Sequence, residues 1–157
     1  MSVSFRKFKT VPMPEDEAEE LASVCRGQFT ADEIGNREDW SYAILHRAGP
    51  EGPLQGVLLL DTPEGEKTAT IRILCAKEKG TGIPQALVAQ AQRLARERKR
   101  PTLDLELLEL DPKLIDVYTK MGFTADPTRS GWMRKSLKKG GTRRTIRQRR
   151  RKLSRKK

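Results

Sequence analysis

Residues 103–123 read LDLELLELDPKLIDVYTKMGF. Leucines at 103, 105 and 107 alternate with Asp104, Glu106 and Leu108 after Pro101, the period of a strand. Asp111 and Pro112 then make a helix start, an N-cap carboxylate followed by proline at the first helical position. The helix expected over 111–121 stops at Gly122, the residue type favoured just past a helix C-terminus. Strand and helix together bring Glu106 and Tyr118 into one neighbourhood. A carboxylate there can take a proton from an ammonium group, and a phenol can return one to a departing thiolate. The same two residues also suit a solvated strand position and a core aromatic on a helix.

Upstream, the apolar pattern changes period several times. Val3–Phe8 alternates as a short edge strand, and Glu15–Arg26 carries Ala18, Leu21, Ala22 and Cys25 at helical spacing, with acidic residues in its first turn. A second short helix is expected at Thr30–Ile34. Trp40–Arg47, Gly56–Asp61 and Thr68–Ala76 are strand-like runs joined by turn-rich segments, an antiparallel meander. Ile83–Arg98 is an amphipathic helix, and Phe123–Ala125 with Gly131–Leu137 close the domain as a strand pair. The expected order is β-α-α-β-β-β-α-β-α-β-β, a single α/β (α+β mixed-sheet) domain over residues 1–137.

Between the fourth strand and the third helix lies the loop Ala76–Pro84, AKEKGTGIP. Glycines at 80 and 82 leave backbone N–H groups uncovered at a helix N-terminus, where the dipole favours an anion, and Lys77 and Lys79 add positive charge. Phosphate cradle and plain turn are both open readings. The loop lacks the closing Gly-Lys-Ser/Thr of a P-loop and follows the fourth strand, not the first as a dinucleotide fingerprint would.

Charge divides the chain. Of its 32 basic residues, 14 fall between Arg134 and Lys157 with no acidic residue among them, so the formal net charge of +11 splits into a mildly acidic body of −3 and a polycationic end. Residues 138–157 have too few apolar groups to fold alone and are expected to be a disordered tail. The longest apolar run, Val57–Leu60, is far too short to span a bilayer, and the N-terminus lacks a secretory signal's apolar stretch. A single histidine, His46, excludes Cys/His metal clusters, so no metal is expected. Cys25 and Cys75 sit among apolar neighbours as buried thiols would, which makes a cytoplasmic location the default, or a nuclear one in a eukaryotic or viral source.

Strand order and both motifs resemble the GNAT superfamily of acyl-CoA N-acyltransferases over roughly residues 3–137. Its pyrophosphate motif, Q/R-x-x-G-x-G/A, has its best register here at Lys79-Gly80-Thr81-Gly82-Ile83-Pro84, with Ala86 and Leu87 as the following small-Leu pair. Its Leu-x-Leu-Glu-Val, Asn and Leu-Tyr-x-x-x-Gly-Phe block is matched by Leu103-x-Leu105-Glu106-Leu107, Asp111 and Val117-Tyr118-x-x-x-Gly122-Phe123. The resemblance implies acetyl-CoA as acetyl donor, its pyrophosphate held by backbone amides around Gly80–Ile83, with Lys79, Thr81 and Asp111 close to it. It implies Leu74 and Cys75 on the strand whose backbone polarises the thioester, and fourth and fifth strands splayed to admit the pantetheine arm. Tyr118 would be the general acid, and Glu106 stands where the protein N-terminal acetyltransferase branch, closest in motif, carries its general base. Two positions depart from the pattern. Lys79 loses the planar fork of arginine, and Pro84 has no N–H to donate to phosphate.

The partners then expected are acetyl-CoA and a cationic primary amine, on a protein or peptide, steered by the acidic segment Glu15–Glu20 and Asp32–Asp39. That segment also reads as a solvated helix face with ordinary N-terminal acidic bias. Trp40, Tyr42 and His46 share a face by period 2 and could line the acceptor groove or sit in the core. Residues 138–157 point to a nucleic acid or ribonucleoprotein through phosphate contacts. No membrane partner is expected, and monomer and homodimer are both open. A non-catalytic protein of the same fold that binds nucleic acid is the alternative.

Overall fold

A computed structural model describes residues 2–7, 14–25, 28–49, 51–78, 81–107 and 112–137. The chain runs β1 (Ser2–Lys7), α1 (Glu15–Val24), α2 (Ala31–Gly35), β2 (Tyr42–Arg47), β3 (Leu54–Asp61), β4 (Thr68–Ala76), α3 (Ile83–Glu97), β5 (Thr102–Glu106), α4 (Pro112–Lys120), β6 (Thr124–Ala125) and β7 (Trp132–Ser136), the expected order. These strands form one seven-stranded sheet in the order β1-β2-β3-β4-β5-β7-β6. Only β4 and β5 run parallel, and α3 makes the crossover between them.

Apolar cores lie on both faces. Ala18, Leu21 and Val24 of α1 and Ile34 of α2 pack with Val57, Leu59 and Ile73 on one side. Leu87, Val88, Ala91, Leu94 and Ala95 of α3 pack with Leu58, Leu60, Ile71 and Leu103 on the other, joined by Phe123 and by Ile115 and Tyr118 of α4. A strand covered on both faces has no polar side to show, so Val57–Leu60 reads as an unbroken apolar run. Gly56 sets how closely α3 approaches: a Cβ there would stand 2.6 Å from Ile83 Cγ2 and 3.0 Å from Leu87 Cδ1.

One irregularity shapes the centre. Pairing of β3 with β4 steps from Leu59↔Ile73 to Leu60↔Ile71, so Arg72 is an extra residue, a β-bulge. Ile71 therefore faces the α3 core while Ile73 and Cys75 face the α1 core, although all three fall on one parity.

Several expectations are corrected. The cysteines are not free thiols: Cys25, just past α1, and Cys75 of β4 form a disulfide with their Cα atoms 5.1 Å apart. Asp104, on the polar parity of β5, is buried at 4% exposure and paired with Arg129 at 2.7 Å. Trp40 precedes β2 and packs in the α1 core, whereas Tyr42 packs in the α3 core, so the two do not share a face. β3 begins two residues before the expected start, at Leu54. Phe8, Arg26, Lys79, Gly80, Asp111 and residues 138–157 lie outside the described residues.

Candidate active site

β4 and β5 pair only over Thr68–Ile71 and Thr102–Leu105, although β4 continues to Ala76. Beyond Ile71 the two strands part, leaving one edge of residues 72–76 unpaired by β5. The gap is a cleft of about 420 Å³. Its walls are Ile71, Arg72, Ile73 and Leu74 of β4, Leu105 and Glu106 with Leu107 at the end of β5, Leu114 and Tyr118 of α4, and Gln28 and Phe29 between α1 and α2. Glu106 and Tyr118, twelve residues apart in sequence, thus line one cavity.

Tyr118 is placed by packing. α4 ends in a turn where Phe123 N–H donates to the Tyr118 carbonyl, and the two rings meet edge to face at 5.9 Å between centroids. Gly122, with φ of 97°, makes the reversal. Burial pushes the Tyr118 phenol up to about 12, so it keeps its proton at neutral pH. Its hydroxyl has no hydrogen-bond partner among the described residues. Glu106 is exposed at the last position of β5, opposite Trp132. The β6–β7 loop behind it is pinned: Arg129 bridges Asp104 and Asp126 at 2.7 and 2.9 Å and lies 4.1 Å over the Trp132 ring. Hydrogen bonds from Thr128, with help from Arg129, hold the Asp126 carboxyl well below the usual carboxylate range.

The donor-side positions divide. Leu74 lines the cleft. Cys75 is committed on the other face to its disulfide, so only its backbone remains for a ligand. Thr81 is exposed, Gly82 is the α3 N-cap in the left-handed region at φ of 78°, and Ile83 is buried against Gly56. Ile83 and Gln85 keep amides without an intrahelical acceptor in the first turn, but Pro84 between them has none. Lys79, Gly80 and Asp111, expected beside them, lie outside the described residues.

The acceptor side differs from expectation. None of the acidic residues of α1 and α2 lines the cleft; Gln28 and Phe29 do. Glu20 pairs with Arg47 at 2.6 Å, Asp39 with Arg37 at 2.9 Å, and Glu33 closes a capping box with Thr30. His46 and Tyr42 are buried in β2 and do not line it either. Sequence reasoning missed Arg72, whose guanidinium reaches Asp61 at 3.2 Å and Asp39 at 3.6 Å at the cleft wall. A bulge leaves no parity signal that would have singled it out.

The fold is similar to that of solved N-acetyltransferase structures. Among solved structures, similar folds include a Desulfovibrio desulfuricans protein assigned to the GNAT family of acetyltransferases, with a TM-score of 0.65, 18% identity, and coverage of 87% of this chain and 99% of that one. The PaiA N-acetyltransferase of Thermoplasma acidophilum, solved with coenzyme A, superposes with a TM-score of 0.62 at 17% identity over 87% of this chain and 99% of its own. The ribosomal-protein-S18-alanine N-acetyltransferase of Escherichia coli gives a TM-score of 0.63 at 14% identity over 87% and 94%. No family model matches the chain, and no curated protein does.

Proposed function

We propose that this chain is an N-acetyltransferase moving an acetyl group from acetyl-CoA to a primary amine within a ternary complex. The observation that carries the reading is the parting of β4 and β5 after Ile71 and Leu105, with Tyr118 and Glu106 on the walls of the cleft it opens. The cleft suits such a donor in two further respects. Its β4 edge offers backbone hydrogen-bonding groups to an amide-bearing arm, and Leu114, the one exposed large hydrophobic among the described residues, lies at its wall. Acetyl-CoA supplies an activated thioester; the remaining work belongs to the chain.

In this reading the amide groups around Leu74 and Cys75 orient and polarise the donor carbonyl. Backbone amides around Gly80–Ile83, with the Lys79 and Thr81 side chains beside them, receive the pyrophosphate, and Asp111 is expected close to the donor. Glu106 takes, through water, a proton from the ammonium, so that the neutral amine attacks the thioester carbonyl. As the new C–N bond forms and the C–S bond breaks, Tyr118 gives its hydroxyl proton to the departing sulfur, and the proton that the new amide nitrogen sheds returns through water to the phenolate. The acceptor is a cationic amine on a protein or peptide, which Glu106 at the open side of the cleft would favour. Residues 138–157, with 12 basic and no acidic residues, bind nucleic acid or a ribonucleoprotein through phosphate contacts. A second reading, a non-catalytic nucleic-acid-binding protein of the same fold, draws on Pro84, which withholds an amide from the cradle.

Coenzyme A release, measured with free-N-terminal peptides, blocked lysine peptides and a polyamine, tests the reading. Tyr118→Phe should lower turnover by at least tenfold while leaving acetyl-CoA affinity nearly intact; an unchanged rate would remove Tyr118 from the mechanism.

A further inference from the structure

A second cavity of about 420 Å³ opens at the other end of α3, lined by Lys67, Arg96, Lys99, Arg100, Pro101 and Leu137. Fifteen residues of helix separate it from the Gly82 cradle, about 22 Å at the α-helical rise. Four of its six lining residues are cationic, in a body whose first 133 residues carry a net −3. None of the four has an ion-pair partner among the described residues. Arg100 is anchored by donating to the Thr62 and Pro63 carbonyls at 3.3 and 2.8 Å, and Arg96 Nε donates to the Leu137 carbonyl at 3.4 Å. Neighbouring Arg98 is engaged elsewhere, with the Tyr42 hydroxyl and ring.

Lys99 is the telling residue. α3 ends in a Schellman-type turn, Arg100 N–H to Ala95 O and Lys99 N–H to Arg96 O, which puts Lys99 in the left-handed region at φ of 58°. Glycine is the residue folding favours there, and Lys99 is the only non-glycine residue with positive φ among the described residues. A strained backbone that presents a charge into a cationic groove points to a ligand for that charge. Leu137 N–H donates to the Pro101 carbonyl at 2.7 Å, so the chain enters its basic segment 138–157 from the lip of this groove.

We propose that the groove formed by Lys67, Arg96, Lys99 and Arg100 binds the phosphodiester backbone of a nucleic acid. The proposal deepens the nucleic-acid reading of that basic segment and is independent of acetyl transfer. The folded body then sets where the nucleic acid lies relative to the cleft, at the far end of α3.

Fluorescence anisotropy of the full chain with a labelled 20-nucleotide RNA and a labelled 20-base-pair DNA, across a salt series, tests it. The variant Lys67→Gln, Arg96→Gln, Lys99→Gly leaves the anchored Arg100 intact and relieves the left-handed strain. A second variant, Arg149→Gln, Arg150→Gln, Arg151→Gln, Lys152→Gln, changes only the terminal segment. The groove variant should weaken binding at least tenfold and flatten the salt slope by about 2 to 3, one phosphate contact per removed charge. Wild-type affinity and slope in the groove variant would overturn the proposal while leaving the terminal-segment reading in place. Loss in the groove variant alone would sustain the groove and overturn the terminal segment. Binding of wild-type chain to phosphatidylserine vesicles but to neither nucleic acid would overturn both. A wild-type dimer that the groove variant converts to monomer, with unchanged RNA and DNA binding, would assign the groove instead to the acidic α1 of a second copy.

Discussion

At the level of single residues, Pro84 and Tyr118 decide most. Pro84 occupies the second position of α3, where, in the proposed reading, an amide would otherwise face the pyrophosphate. A hydrogen bond to a charged group is worth roughly 1.5–3 kcal/mol, so Pro84→Ala should tighten acetyl-CoA binding by about one to two decades. A titration giving an unchanged dissociation constant would show that this position does not face the donor. Tyr118 makes a separate prediction about pH. Its phenol has an ordinary value of 10.0 when unfolded, and burial pushes it up to about 12 when folded. The folded state thus binds the proton more tightly, and stability falls as pH rises from 10 towards 12. Denaturant melts over that range should show a shallower alkaline loss for Tyr118→Phe; identical slopes would mean that the phenol is not desolvated. Tyr118 stands out in the sequence because offsets from Glu106 to Phe123 agree with each other, and Pro84 because it takes the last place of the Gly-rich loop motif. Arg72, Arg129 and the buried Asp104 do not, because a bulge and a loop bring them to their places.

Among elements, α3 links the parts. Its N-terminus is the proposed pyrophosphate cradle, its apolar face covers the sheet, and its C-terminal turn lines the basic groove. Gly56 of β3 allows it to seat, so Gly56→Ala should destabilise the domain by about 1–3 kcal/mol, read from the urea midpoint. An unshifted midpoint would mean that α3 gives way without cost. The eleven elements were legible because each has a consistent period and recognisable ends: Pro112 opening α4, Gly122 after it, and turn residues between β2, β3 and β4. Thr30 and Glu33 also spell a capping box for α2 that a closer look at Thr-x-x-Glu would have found. The faces of β4 were not legible. Period 2 puts Ile71, Ile73 and Cys75 together, and only the register with β3 reveals that Arg72 switches the parity.

For the whole molecule, the Cys25–Cys75 disulfide ties the α1 end to β4 across 50 residues of sequence, next to Gln28 and Phe29 on the cleft wall. Two cysteines at that separation carry no pairing signal in sequence; proximity comes only when α1 packs on the sheet. Closing a loop of that length is worth up to about 4 kcal/mol in the chain-entropy picture. Dithiothreitol should therefore lower the melting temperature of the wild type but not of Cys25→Ala/Cys75→Ala; equal melting temperatures with and without reductant in the wild type would mean that the bond adds no stability. Charge also gives the described residues a polarity, with acidic residues on α1 and α2 and a basic groove at the far end of α3. In the proposed reading the cleft between β4 and β5 holds acetyl-CoA, and calorimetric titration of acetyl-CoA into the full chain measures this directly. Saturable one-to-one binding at submillimolar concentration is expected, and no heat of binding at millimolar acetyl-CoA would contradict it.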